Sequence, residues 1–600
     1  MSLAVYLFAV GWPLAMAFAL LFEAARPILW RMMPLAALPA LMLGLMQTTP
    51  ELVQGVWFVL GLSMGLDEIS RLFLIFTATL WIAASASARH WMREDPHATG
   101  FGVLFLMAMS GNLGLILSKD AMAFYGAFAL MSFASYGLVL HARDASAQAA
   151  ARLYIAFVVL GELILFSGLV LAATQSDSIL LADMRATELS GLAVALLLVG
   201  FGIKLGVMPL HFWLPPAHGA APVPASAVLS GAMIKAGLFG IISAVPLGLV
   251  AYDDHGTVVM AAGMVTIFAA LLLGVQERSA KTVLGYSSVS QMGIIALGLG
   301  AALMTPEAWP AVLPVLVFLA AHHALAKGAL FLGVGAWAAQ TGPLARLLIG
   351  AVLLVPALVL SGLPFSSGAL GKEALKDALE LGSAIWLPWL TLALTLSGLA
   401  TTLLLARALA NLWLTPPKAP QSKPEALALP AIALAGAAFA LPTLWPILDA
   451  DIAASVLAAK PAALWPVALG IAIAGSVAIS AYARKIGAEA FFAAITAPAR
   501  AVSDHAGRLW AAKRRAARRM GTGIPNTLAD HAQRWRLGQT AIAGAIVAVM
   551  IIEATATMRP AQDKTAAVLQ SISQDLTLDM PEQQDEAPEP ARDRLLPELD

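Results

Sequence analysis

Lys204 and Lys235 interrupt two consecutive segments that are otherwise apolar enough to cross a bilayer. An ammonium at mid-bilayer costs about 2.5–3.5 kcal/mol on insertion scales, so it normally faces a bundle interior or a water-filled cavity and finds a partner there. A lone lysine can instead snorkel to the interface. Lys235 lies too deep for that, near the centre of PASAVLSGAMIKAGLFGIISAVPLG, and Pro209 follows Lys204 within five residues. Between the lysines, Pro209, Pro215, Pro216, Pro222 and Pro224 break the helical run, and His211 is expected two turns beyond Lys204 on a similar face. Broken helices beside buried charge are typical of transporters.

Further ionisable groups fall inside apolar runs. Glu162 sits mid-span in RLYIAFVVLGELILFSGLVLAA, where a carboxylate is as costly as a lysine unless it is paired or protonated. A Glu162–Lys204 pair across neighbouring helices would offset both burials; the bland alternative is a structural hydrogen bond to a neighbour. His322, His323 and Lys327 share one span, and His323 and Lys327, four apart, lie on one helix face. Neutral histidine accepts and passes protons near physiological pH, which suits His323 to a relay. Lys372 follows a break at Pro364, with Glu373 beside it and Lys376 one turn on. Ser287, Ser288, Ser290 and Gln291 offer hydroxyls and an amide able to hold bridging water. His211, His218, Lys281 and His322 are candidates for access or gating.

The elements that must position these groups are membrane helices. Hydrophobic residues make up 60% of the 600 and charged residues 12%, with mean hydropathy +0.81; soluble domains carry about 25% charged residues. The absence of cysteine excludes disulfides, iron–sulfur ligation and thiolate zinc sites in this chain. No cofactor, metal site or nucleic-acid partner is expected. Apolar runs predict about sixteen spans, near 4–22, 29–47, 70–89, 100–118, 121–141, 152–173, 189–212, 223–249, 256–275, 280–302, 309–338, 345–380, 383–409, 426–446, 461–483 and 536–557. Basic residues such as Arg26, Arg31, Arg89, Arg93, Arg143 and Arg278 fall after odd-numbered spans, and Glu51, Asp67, Asp177, Asp183 and Asp253 between the others. The positive-inside rule then places the N-terminus outside. The first span lacks a basic n-region and a small-residue cleavage site and reads as a retained helix.

After an N-terminal group of helices over 1–99, two blocks, 100–249 and 256–409, each hold five predicted spans with a proline-broken fourth, near Pro209 and Pro364. An odd number of spans per block gives consecutive copies opposite orientation, the footprint of an inverted repeat. Further helices are expected over 410–483. Residues 484–535 form a basic amphipathic segment, read either as an interfacial helix on anionic lipid or as a lateral helix along neighbouring subunits. A final anchor over 536–558 and an acidic, disordered tail over 559–600, placed outside, complete the expectation.

The stretch GFGIKLGVMPLHFWLPPAHGAAPVPASAVLSGAMIKAG, with VLGYSSVSQMG (283–293), HHALAKGALFLGVGA (322–336) and SGLPFSSGALGKE (361–373), resembles the antiporter-like subunits shared by respiratory complex I, membrane-bound hydrogenases of the hydrogenase-4 and formate hydrogenlyase type, and Mrp cation/proton antiporters. The likeness covers roughly residues 60 to 410. It implies an all-α polytopic fold of paired five-helix units with discontinuous helices and a lateral C-terminal helix, in the cell inner membrane. It also implies proton translocation through Glu162, Lys204, Lys235, His323, Lys327 and Lys372, the last resembling the lysine from which the family releases protons. In the family the carboxylate partner of the fourth-helix lysine falls where this sequence has Ala129, so Glu162, one helix later, is expected to have taken that role. The resemblance implies a subunit that is not catalytic alone, working with other membrane subunits and, through them, with redox or iron–sulfur subunits of an ion-translocating oxidoreductase. The alternatives are an Mrp-type sodium/proton antiporter subunit, a coupling subunit for inorganic-carbon uptake, and a non-conducting scaffold.

Overall fold

In a computed structural model, residues 2–47, 49–55, 62–340, 342–382, 385–414 and 424–484 are described. The predicted anchor, the tail and all but the first residue of the basic segment lie outside them. Three short N-terminal helices, α1 (Leu3–Ala19), α2 (Arg26–Met32) and α3 (Leu38–Met46), lead into a two-stranded antiparallel hairpin, β1 (Glu51–Gly55) with β2 (Leu62–Leu66). No sequence pattern announced the hairpin. Its strands are short and glycine-bearing, and LSMGL lacks the alternation that marks a half-buried strand. It docks on the turn after α5: Lys119 N–H donates to Ser63 O (2.8 Å), and Ser63 N–H to Asp120 Oδ2 (2.7 Å).

Helices α4 (Glu68–Trp91), α5 (Ala98–Leu117), α6 (Ala121–Val139) and α7 (Ala145–Ser176) follow, then short α8 (Leu181–Arg185). The predicted span 189–212 is helical only as α9 (Gly191–Leu205); Gly206, at φ +79°, ends it in the left-handed conformation that a side chain resists. After a turn come α10 (Leu214–Ala220) and α11 (Val223–Val228), a π-helical turn over Leu229–Met233, and α12 (Lys235–Ala244). The second block runs α13 (Asp253–Gly274), α14 (Ala280–Met304), α15 (Trp309–Ala338), α16 (Pro343–Ser361), α17 (Ser367–Leu379) and α18 (Leu387–Leu414). Here the predicted span 345–380 is two helices, parted at Gly362, where φ is +92°. α19 (Pro424–Leu448), α20 (Ala450–Leu457) and α21 (Trp465–Arg484) close the described chain.

Twelve helical stretches among the described residues are long and apolar enough to cross a membrane, and three shorter apolar helices, Leu3–Ala19, Gly191–Leu205 and Trp465–Ala478, accompany them. The protein is a multi-pass helical membrane protein. Its two layers of burial fit that reading: Leu163 is 62% exposed while its neighbour Glu162 is 4% exposed, so α7 turns one face outward to an apolar solvent and the other into the bundle. Helices approach closely where side chains vanish. A Cβ on Gly263 of α13 would lie 2.8 Å from Gly293 O of α14, and one on Gly256 2.7 Å from Gly300 O, so these facing glycine pairs let two backbones touch where hydrophobic driving force is lacking.

Candidate functional site

Lys204 occupies the last turn of α9, where unsatisfied carbonyls favour positive charge. Its Nζ donates to Ser132 Oγ of α6 (2.9 Å) and lies over the rings of Phe128 and Tyr154, at 5.5 and 6.0 Å from their centroids. Glu162 of α7 lines the same cavity, whose volume of about 10 Å³ is barely that of one water. Among the described residues Glu162 and Lys204 make no direct ion pair. Ser132 accepts from the ammonium and lines the same cavity as Glu162, whose Oε2 has no hydrogen-bond partner. Ala129, where the family likeness places the carboxylate that this sequence lacks, is half-buried, and the group of α6 that reaches the lysine is Ser132, one turn on.

His211 departs from its expected position. Because α9 stops at Leu205, His211 is not on a helical face with Lys204; it lies in the turn that follows, against Phe212 (ring centroids 4.8 Å) and Tyr286 (6.4 Å), and does not line the lysine cavity. His218 of α10 is fully buried, stacks on Phe331 at 4.7 Å and has no partner on either ring nitrogen. Half-buried Lys281 donates to Ala221 O.

The second cluster is built by the π-helical turn. There Ile234 N–H reaches back five residues to Leu229 O, and Ser230 O is left to accept from the Lys235 side chain (2.6 Å). Lys235 Nζ also hydrogen-bonds His323 Nδ1. Ser230 Oγ meets Ser288 Oγ (2.7 Å), Ser288 Oγ donates to Leu284 O (3.0 Å), and Lys327 Nζ donates to that same carbonyl (3.0 Å). His323, Lys235, Ser230, Ser288, Leu284 O and Lys327 thus form one hydrogen-bonded chain across α12, α14 and α15. Of the four polar groups read as water holders, only Ser288 joins it: Ser290 donates to Ile267 O (3.1 Å), Gln291 to Thr401 Oγ1 (2.9 Å), and Ser287 Oγ has no partner.

His322, next to His323, points to the third cluster. Ser367 Oγ donates to Ala438 O (2.8 Å), so its contact with His322 Nδ1 (2.9 Å) is one in which the imidazole N–H donates, leaving Nε2 as the open acceptor. Ser367 begins α17, and Lys372 lies on the same helix. Lys372 Nζ reaches back to Leu360 O (3.4 Å) and Ser361 O (3.3 Å), the C-terminal carbonyls of α16. Glu373, adjacent in sequence, pairs instead with Lys376 (2.8 Å). The two breaks are used differently: Lys204 precedes its break and Lys372 follows its own. Ser132, Ser230, Tyr154 and Ser367 went unnoticed in the sequence, where isolated hydroxyls in apolar helices commonly just bond the preceding turn.

The chain is a multi-pass helical bundle with two interrupted helices and a buried line of lysines, histidines and one carboxylate, an arrangement common in membrane proteins that carry ions. Residues 118–400 match the family model described as NADH:quinone oxidoreductase/Mrp antiporter, TM. Over that segment the chain is similar to the antiporter-like proteins of the complex I/Mrp superfamily. Hydrogenase-4 component B of Escherichia coli (strain K12) is 34% identical over 290 residues, covering 46% of this chain and 43% of that protein. Na(+)/H(+) antiporter subunit A1 of Staphylococcus haemolyticus (strain JCSC1435) is 29% identical over 340 residues, covering 52% and 42%. The chain therefore spans less than half the length of these curated relatives. Two solved structures share its fold: the Mrp complex from Dietzia sp. DQ12-45-1b (TM-score 0.62, 23% identity, 76% of this chain and 97% of that chain) and the membrane-bound sulfane sulfur reductase, an archaeal respiratory membrane complex (TM-score 0.63, 18% identity, 76% and 98%).

Proposed function

We propose that this chain conducts protons across the membrane as an antiporter-like subunit of a multisubunit complex, along Glu162–Lys204, Lys235–His323–Lys327 and Lys372. One observation carries the reading. Each of these four buried lysines is held by neutral oxygen, from Ser132, Ser230, Leu284 or the end of α16, and none by a fixed carboxylate. Hydroxyl and carbonyl oxygens accept from an ammonium and from a neutral amine alike, so each site can keep its shape as a proton arrives and leaves. A carboxylate locked to each lysine would bind one state too well. Glu162 is the carboxyl in the Lys204 cavity, and its distance from Lys204 sets how readily that lysine holds charge, while Glu373 beside Lys372 is paired with Lys376. In the central cluster, charge on Lys235 opposes charge on Lys327, which favours a single travelling proton over two resident ones. Transfer between clusters requires side-chain movement or water.

Sodium, suggested by the antiporter relatives, fits less well. A sodium site asks for several oxygen ligands in one cage, whereas the buried line offers a single carboxylate among lysines and histidines. The five-helix order α5–α6–α7–α9/α10–α12, repeated as α13–α14–α15–α16/α17–α18, supports the inverted-repeat reading, with both interrupted helices at equivalent places. Any iron–sulfur cluster in such a complex would belong to a partner subunit, since this sequence has no cysteine to ligate one.

The test is Lys204→Ala in membrane vesicles containing the assembled full-length chain. The expected result is loss of most proton transport at unchanged chain level. Unchanged transport would favour a scaffold that keeps the fold without conducting.

A further inference from the structure

The cavity beside Lys372 is lined on one side by a non-helical link as well as by membrane helices. Its volume is about 20 Å³, room for one water. Lys372, Glu373 and Lys376 of α17 line it with residues of α16 and α18, and Ala462 and Ala463 line it next to Pro466 and Val467 at the start of α21. Those two alanines belong to the non-helical link between α20 and α21. The link is fastened at one residue. Lys460 Nζ pairs with Glu380 Oε1 (3.2 Å) and Asp377 Oδ1 (3.4 Å), and its backbone N–H donates to Asp377 Oδ2 (3.3 Å). Both carboxylates sit at the end of α17, with Lys376 and Glu380 successive turns beyond Lys372. Pro461 stiffens the chain immediately after the anchor.

We propose that the 458–464 link is a strap that closes the mouth of the Lys372 cavity, and that the Lys460–Asp377–Glu380 cluster is its latch. Release of the latch swings the alanines away and admits water to the terminal lysine. The strap's purpose rests on the proton reading above; its movement does not. The latch is suited to opening because it is exposed: the Lys460 side chain is 68% accessible, so solvent and salt compete for it more than for the half-buried Lys376–Glu373 pair behind it. Hydrogen bonds from Glu380, then Asp377, hold the Lys460 ammonium above its ordinary lysine value, so it stays charged through the physiological range.

The chain's lack of cysteine makes the test clean. Ala369 is 2% exposed and lines the cavity, so Ala369→Cys in the purified full-length chain reports access to it. The measurement is the rate of its modification by a small maleimide in detergent, alone and combined with latch variants. Lys460→Ala should raise the rate about fivefold, the population change fitting loss of an exposed ion-pair cluster, and Asp377→Asn with Glu380→Gln should do the same. Lys460→Arg should restore protection, and raising salt should speed labelling only where the latch is intact. Equal rates in all variants would overturn the strap, as would a cysteine that stays unreactive in every variant yet reacts in the denatured chain. Labelling does not depend on transport, so a latch that opens on a chain that moves no protons would separate failure of the proton reading from failure of this one.

Discussion

Ser132 shows how much of the site lies below the reach of a sequence. Lys204 and Glu162 stand out because charge in an apolar run is rare, but the hydroxyl that holds Lys204 in the cavity they share is one serine among many. Ser132→Ala should leave the fold intact, since alanine fills the space, while removing the acceptor that holds the ammonium. Proton transport should slow by about tenfold, the effect of one hydrogen bond to a charged group, and the check is flux measured beside a Ser132→Thr control that keeps the hydroxyl. Glu162→Gln should stall transport more severely, because it removes the one carboxyl near Lys204. Flux in that variant equal to the parent would show that the carboxyl is structural. The same blindness affected His322 and His323. Adjacent positions told that they point about 100° apart, yet not that one reaches Lys235 and the other Ser367.

Elements were legible where long apolar runs bounded them and illegible where backbone geometry decided. The prolines near 209 and 364 announced interruptions, and both are present. What ends α9 and α16, however, is a left-handed glycine, and that stop is why His211 left its expected face. The π-helical turn had no signature in LSGAM, although it frees the carbonyl that holds Lys235. Ser230→Ala and Ser288→Ala test that cluster together: each should slow transport, and the double change should cost less than the sum, because either loss cuts the same chain. Helix α4 begins with a different device. Asp67 caps it, accepting from Ser70 N–H (2.7 Å), and pairs with Lys119 (2.7 Å). Burial works against the charged carboxylate, but Lys119 and the Ser70 bonds outweigh it and hold Asp67 down at about 2. A depressed folded value means the cap contributes fully above about pH 4, the ordinary aspartate range, and is lost as pH falls through about 2. Asp67→Ala should therefore lower the thermal midpoint in detergent at pH 7, by an amount fitting about 1 kcal/mol for a lost cap, and the gap from the parent should vanish in acid.

At the scale of the whole molecule, the membrane fixes what the sequence could promise. Composition alone required a helical bundle, and the family likeness supplied the order of its parts. Orientation rests on charge bias in the loops, and the lateral segment and the anchor on composition over residues outside the described structure. The lysine line is a property of the assembled bundle, since α6, α7 and α9 build one cluster, α12, α14 and α15 the next, and α16 with α17 the third. Its unusual feature is energetic. Lys235, 1% exposed and without a carboxylate, is a liability to folding that a passive scaffold would have no reason to keep. Lys235→Met nearly conserves volume and removes that liability. Proton flux through vesicles bearing this variant, measured beside its thermal midpoint, puts function and stability in opposition. The expected result is a midpoint equal to or above the parent's with flux reduced to that of vesicles lacking the chain; flux equal to the parent's would contradict a proton path through the buried lysines.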